Sequence, residues 1–308
     1  MHKTYDLKLG YSCNNHCIHC VIEDSKQNLI AKNKPIDIST QEALSLLEVE
    51  IVHGIDSVTI TGGEATIRND LPTILNFCFE RSLKVTLQTN GRLLTKDNIR
   101  QLLLNNTGVT LVIALHGTTS QIHDSITRVP GSYYETLEGI RFAVSNRIPV
   151  IIKTVISTVN MDNLPLFVPF MISEHLSDVN VAFPHAQGAA RTNFDLVVPK
   201  YSILRPHIFA LATMAKNSGI NLTFETIPFC ILPEFPDMMS ELIYRCKDVQ
   251  CTQVNEKTFD WNVIRKQIKA KRPWCSECFF DEYCEGPWRE YVDAFGVSEF
   301  TPVKVQDL

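Results

Sequence analysis

The stretch Asp6-Leu7-Lys8-Leu9-Gly10-Tyr11-Ser12-Cys13-Asn14-Asn15-His16-Cys17-Ile18-His19-Cys20 decides how the rest of the chain is read. Asp6 to Leu9 reads as a short strand, and the cysteine-bearing segment follows it directly. The spacing Cys13-x3-Cys17-x2-Cys20 puts three thiols in one compact loop that can aim them at a single metal centre. An iron–sulfur cubane suits three thiolates, and with four irons it keeps one iron open to another ligand. His16 and His19 lie inside the loop, so zinc with a mixed cysteine–histidine set is the alternative.

Outward from this loop, short β-rich runs alternate with longer helical patterns to about residue 225. Strands are expected at Ser57 to Thr61, Leu83 to Gln88, Val109 to Leu115, Val150 to Ile156 and Val179 to Phe183. Helices are expected from Ser39 or Thr40 to near Gly54, at Leu71 to Phe79, Asp97 to Leu104, Tyr133 to Val144 and Leu164 to His175, and from about Ile203 to Ser218. Six strand–helix units predict an α/β fold with a parallel sheet, because parallel strands need crossover connections. An open sheet and a closed barrel both fit. Such folds carry their sites where the strands end, and the unusual residues fall there.

The 308 residues suffice for a large core, and 44% hydrophobic with 20% charged residues is ordinary for a globular chain. A formal charge of −5 argues against a nucleic-acid scaffold. The basic stretch Arg265 to Arg272 holds Ile264 and Ile268 at helical spacing and reads as a solvated helix face. No apolar run approaches the roughly 20 residues that span a bilayer, and Asp6 and Lys8 interrupt any signal-peptide core. A cytoplasmic chain is therefore expected, in which ten cysteines are reduced thiols or metal ligands. From about residue 226 the character changes. Pro228, Pro233 and Pro236, clustered aromatics and six of the ten cysteines mark a small metal-supported appendage. Within it, Cys275-x2-Cys278-x5-Cys284 is a second dense array. Cys78, in an apolar helix, reads as a buried small hydrophobe.

Three further motifs follow the strands. They are Thr61-Gly62-Gly63-Glu64, Gln88-Thr89-Asn90-Gly91, and Leu115-His116-Gly117 continuing to His123-Asp124, Arg128 and Gly131-Ser132-Tyr133. With the cysteine triplet, and in this order, they resemble the radical S-adenosylmethionine (SAM) superfamily over roughly residues 5 to 190. The fold implied is a partial (βα)6 TIM-like barrel at residues 1–225 with a small iron–sulfur extension at 226–308. The resemblance makes Cys13, Cys17 and Cys20 ligands of a [4Fe-4S] cluster whose open iron chelates SAM. Gly62, Gly63 and Glu64 would then bind the methionine amino group. Glycines let backbone approach a ligand, and a carboxylate complements an ammonium. Thr89 and Asn90 are expected at the ribose, Arg128 at the SAM carboxylate and His19 beside the adenine. Lys153, Thr154 and Pro184 to Arg191 would line the cavity. Two residues depart from the family pattern: His19 stands where an aromatic residue is common, and Ala114 where a serine is common.

The C-terminal array resembles part of the SPASM extension, whose full form uses seven cysteines for auxiliary [4Fe-4S] clusters. Here no cysteine follows Cys284, and Trp288 stands where the nearer one would be. That implies one auxiliary cluster, as in shortened "twitch" relatives, held by Cys275, Cys278, Cys284 and a fourth ligand from upstream. Cys230 is the first choice, Cys246 the second and Cys251 the third; zinc is again the alternative occupant. Cys246 or Cys251, if not a ligand, is a candidate hydrogen-atom donor. Glu225, Asp281 and Glu285 are candidate bases by proximity in the chain alone.

The expected activity is reductive cleavage of SAM to a 5′-deoxyadenosyl radical that abstracts hydrogen from a substrate. A peptide is the leading substrate, with cross-linking, dehydrogenation or epimerisation as outcomes. A sugar, aminocyclitol or other small molecule is the alternative, and a non-enzymatic zinc or iron–sulfur scaffold is the reading from a different class. Expected partners are a flavodoxin- or ferredoxin-type reductant and a separate leader-peptide-binding protein. The first strand begins too early in this sequence for such a binding domain to precede it.

Overall fold

A computed structural model describes residues 2–106, 108–244 and 247–307. Its strands are β1 (His2–Lys8), β2 (Ser57–Thr61), β3 (Lys84–Thr89), β4 (Val109–Ala114), β5 (Val150–Val155), β6 (Asp178–Ala182), β7 (Asn221–Glu225), β8 (Lys247–Thr252) and β9 (Phe259–Asp260). They form one sheet in the order β7-β6-β5-β4-β3-β2-β1-β8-β9. Pairing is parallel throughout except between β8 and β9. The sheet does not close, so the expected partial barrel is what forms. Among the described residues no helix is long and apolar enough to cross a membrane.

Local chemistry sets the helix ends. Ser39 Oγ accepts from the Glu42 amide at 3.1 Å and starts the helix Thr40–Val52. Gly219, at φ 69°, takes the left-handed conformation that ends the helix Tyr201–Ser218. The helical stretch expected from Leu164 to His175 divides instead into a 3-10 turn, Met161–Leu166, and a short α-helix, Phe167–Ser173. Pro165 lacks the amide a continuous α-helix would use there.

One face of the sheet is apolar and buried, with Leu7, Val58, Ile60, Val85, Leu87, Leu111, Ile113, Ile152, Val181 and Phe224 at 2% exposure or less. Alternate positions face the other way. There Thr61 bonds Gln88 at 3.1 Å, Asn180 bonds Thr223 at 3.0 Å and Lys153 bonds Glu225 at 2.7 Å. This second face is half-buried and polar. The segment after β7 returns to the core: β8 lies against β1 with Asp6 opposite Cys251, and Tyr5 donates to Thr252 at 2.8 Å. Aromatic rings join the last helix, Arg289–Phe295, to the barrel, Phe183 stacking on Tyr201 at 4.3 Å and Tyr201 meeting Tyr291 at 4.6 Å.

Candidate functional site

The cysteine loop leaves β1 through a turn held by Asp37, whose carboxylate accepts from the Tyr11 and Ser12 amides at 2.9 and 3.0 Å. The Gly62-Gly63-Glu64 segment docks directly on this turn. The Gly63 and Glu64 amides donate to the Gly10 and Ser12 carbonyls at 2.8 and 2.9 Å. A Cβ on Gly62 would come within 2.3 Å of the Gly10 oxygen, and one on Gly63 within 2.1 Å of the Ser12 oxygen. Both glycines are therefore required by the backbone of the cysteine loop itself.

Glu64, 2% exposed, ties the ends of β2 and β3 together. Its Oε1 accepts from the Thr66 amide (3.0 Å), the Thr66 hydroxyl (2.6 Å) and the Thr89 hydroxyl (2.7 Å). Its Oε2 accepts from the Asn90 amide at 2.6 Å. The Asn90 side chain reaches Asn14 at 2.6 Å, and Arg92 bonds the Asn14 carbonyl at 2.5 Å and Asn15 Oδ1 at 2.7 Å. The turn after β3 thus grips the loop between its first two cysteines.

Two more elements complete the seat. The His16 and Ile18 amides donate to the Thr127 and Ile126 carbonyls, each at 2.9 Å, at the end of the helix Ser120–Thr127. The Ala189 amide donates to the Cys20 carbonyl at 2.9 Å, and Gly188 packs so closely that a Cβ would meet that carbonyl at 2.4 Å. Arg128 joins the loop through one intermediary. It is an exposed residue at φ 57° whose guanidinium bonds Asn193 at 2.9 Å, and Asn193 in turn donates to the Ile18 carbonyl at 3.1 Å.

Burial pushes the thiols up, Cys13 to about 11 and Cys17 to about 12, with Cys20 also raised; neighbouring cysteines add to the effect on Cys13 and Cys17. Without a bound cation these three would stay protonated, so the pocket gains its thiolate character from a metal. The Asn15 amide donates to Cys13 Sγ at 3.4 Å. Burial also drives the His19 ring down to about 4. Sγ of Cys17 and ring nitrogens of His19 and His116 lie within 4.8 Å of one another, a set that a single transition ion could also use.

At the other end of the chain, Cys230, Cys275, Cys278 and Cys284 line one cavity with Phe229, Trp274 and Phe300. Burial, and then the charges of the other three, push Cys230 up to about 12. Three of these sulfurs face backbone amides: Cys275 from Arg272 (3.4 Å), Cys278 from Val303 (3.3 Å) and Cys284 from Gly286 (3.3 Å). Cys251 is elsewhere, on β8, where Lys8 approaches its sulfur at 3.5 Å. Cys246 lies outside the described residues. Cys78 is fully buried in the helix Leu71–Glu80.

Near the C-terminal cysteines sits a set of charges, some of them buried. Glu225 pairs with Lys153 at 2.7 Å, and Glu285 pairs with Arg265 at 2.7 Å. Asp281 pairs with Lys271. All three acids considered as bases are therefore held in ion pairs. Among the described residues Lys269 Nζ and Glu241 Oε2 are buried without hydrogen-bond partners, and Lys269 lies over the Trp288 ring at 3.9 Å. Burial brings Lys269 down to about 8 and raises Glu241. Trp288 stacks on His185, three residues beyond the end of β6, at 4.0 Å.

Asp37 and Arg92 went unmarked in the sequence, and Gly188 was marked only within the Pro184 to Arg191 cavity lining, not as a contact of the cysteine loop. Arg92 had the strongest signal, adjoining Gln88-Thr89-Asn90-Gly91; Asp37 and Gly188 are matched to the loop only through the fold.

A family model described as the radical SAM superfamily matches residues 7–166, just over half of the chain. The AdoMet-dependent heme synthase of Oleidesulfovibrio alaskensis is 31% identical over 190 residues, covering 61% of this chain and 44% of that protein. The antilisterial bacteriocin subtilosin biosynthesis protein AlbA of Bacillus subtilis is 27% identical over 141 residues, 46% of this chain and 30% of that protein. The chain therefore spans less than half the length of these curated relatives. Streptococcus suis SuiB, solved bound to precursor peptide SuiA, superposes with a TM-score of 0.68 at 18% identity, covering 99% of this chain and 76% of that one.

Proposed function

The chain belongs to the radical SAM superfamily of enzymes, and we propose that within it the protein is a peptide-modifying enzyme with one auxiliary [4Fe-4S] cluster. Cys13, Cys17 and Cys20 hold the SAM-binding [4Fe-4S] cluster in this reading, and Cys230, Cys275, Cys278 and Cys284 hold the auxiliary one. The observation that carries it is the gathering of Cys230 with the C-terminal array in one cavity. Amide N–H groups aimed at Cys13, Cys275, Cys278 and Cys284 also suit thiolates, whose charge such donors stabilise. When bound, the first cluster supplies the electron that cleaves SAM to the 5′-deoxyadenosyl radical, the hydrogen-abstracting species.

The protein's own residues do the positioning. Gly62, Gly63 and Glu64 fix the loop, and Oε2 of Glu64, with a single donor, keeps capacity for the SAM ammonium. Thr89 and Asn90 are in reach of a ribose only beyond their bonds to Glu64 and Asn14. His19 is assigned to the adenine and Arg128 to bracing the loop through Asn193. The core is 1–225 and the extension 226–308, with β8 of the extension inserted into the core sheet. A polar face with buried unpartnered charges favours a polar substrate such as a peptide. The subtilosin relative and the peptide-bound SuiB fit this reading. A flavodoxin- or ferredoxin-type protein would supply electrons, and a separate protein would bind a leader peptide.

Anaerobic incubation with SAM, dithionite and a candidate precursor peptide, read by mass spectrometry, tests the proposal. A mass change on the peptide supports it. 5′-Deoxyadenosine formation with turnover only of a small molecule would favour the second reading, which the heme synthase relative supports. Cys17→Ala should abolish 5′-deoxyadenosine, whereas Cys278→Ala should keep part of it and lose product. Reconstituted protein should hold about eight irons, as two cubanes require.

A further inference from the structure

Three histidine rings stand in a row where β4 ends. His19 meets His116 edge-on with centroids 4.5 Å apart, and His116 stacks on His123 at 5.8 Å and 17°. Their exposures are 9%, 4% and 1%. Backbone amides decide where the ring protons sit. The His116 amide donates to Nδ1 of His123 at 3.1 Å, and the Val155 amide donates to Nδ1 of His116 at 3.4 Å. A ring nitrogen that accepts carries no proton, so a neutral ring holds its proton on Nε2.

His116 therefore presents an Nε2–H group, and among the described residues no hydrogen bond takes it. The ring lies beside Cys17 and His19, within the 4.8 Å grouping described above. Binding a metal through Nε2 would require the proton to move to Nδ1, against the Val155 amide. The ring is built as a donor and not as a ligand.

We propose that the untaken Nε2–H of His116 turns onto the Cys17 sulfur when Cys17 ligates a cluster, and thereby raises the reduction potential of that cluster. This rests on the reading of Cys17 as a cluster ligand. Reduction adds negative charge to the cluster, and a donor to its sulfur ligands stabilises that charge. His116 is a positioning residue in this role, acting through Cys17.

The test uses anaerobically reconstituted full-length protein without SAM. Midpoint potentials are measured by EPR-monitored titration for wild type, His116→Phe and His116→Gln, beside iron counts. His116→Phe should keep its iron and shift negative by at least tenfold in the reduced-to-oxidised ratio, ~59 mV for one electron. His116→Gln, which retains an N–H donor, should recover most of the shift. By comparison of samples in H2O and D2O, pulsed EPR should find at the reduced wild-type cluster an exchangeable proton beyond that of the Asn15 amide, and His116→Phe should lack it. An unchanged potential in iron-replete His116→Phe overturns the proposal, as does a wild-type cluster with no such proton. Loss of iron in both variants overturns it too, marking His116 as a ligand. Failure of the wild type to assemble a cluster at all would instead refute the ligand assignment of Cys17.

Discussion

Glu64 is a carboxylate with four protein donors, and its replacement is a sharp test of the site's rigidity. In Glu64→Gln one oxygen becomes an NH2 group. Either the Asn90 amide or the Thr66 and Thr89 donors then face another donor in a buried place. Leaving a buried donor unsatisfied costs about 1–3 kcal/mol. Urea unfolding of the metal-free protein should show a loss of that size, and 5′-deoxyadenosine formation should fall with it. At this scale the sequence was legible where chemistry is rare: three close cysteines and a Gly-Gly-Glu. It was silent on Asp37, since nothing but the folded backbone brings an aspartate to the Ser12 amide, and it placed Gly188 at the cavity without its contact to the Cys20 carbonyl.

Among elements, the cysteine loop is a surface pressed against its neighbours rather than a free lariat. Gly63→Ala would drive a Cβ into the Ser12 carbonyl, and backbone must yield. The sheet should survive, with far-UV circular dichroism unchanged, while iron falls by about four per chain, the content of one cubane. Strands such as Ser57–Thr61 and the helix Asp97–Leu104 could be read to the residue from apolar periodicity and flanking breakers. β8 could not. Lys247-Asp248-Val249-Gln250-Cys251-Thr252 has too few apolar side chains to signal a strand, and its conformation depends on pairing with β1. β7 went unread although Leu222 and Phe224 alternate as Val58 and Ile60 do in Ser57–Thr61, because only its Thr223 is β-branched and its ends are Asn221 and Glu225, which are poor strand formers.

For the whole molecule, the buried charges of Lys269 and Glu241, which make no hydrogen bond among the described residues, should weaken the metal-free protein. Lys269 faces Glu225, Glu241, Glu285 and Cys284, yet burial outweighs them and brings it down to about 8 from 10.5. The folded state therefore releases this proton before the unfolded chain does. Between pH 8 and 10.5 the unfolded chain binds more protons, and the contribution of Lys269 to stability rises with pH. The unfolding free energy of wild type minus that of Lys269→Met/Glu241→Gln should increase across this window. At pH 7 the double variant should be more stable by roughly 1–4 kcal/mol, as buried ions replaced by neutral groups often are. A lower stability would mean that ordered water already satisfies both groups.

The pairing of β8 with β1 also has a consequence in time. Tyr5 and Thr252, bonded in the finished sheet, are 247 residues apart. At ~5–20 residues per second a ribosome needs roughly 12–50 seconds to make the intervening stretch. Throughout that interval the nascent amino-terminal strand keeps one bare edge, next to three unprotected thiols. Iron delivery during translation would meet β1 with that edge still open, whereas delivery after release would meet it paired along both edges.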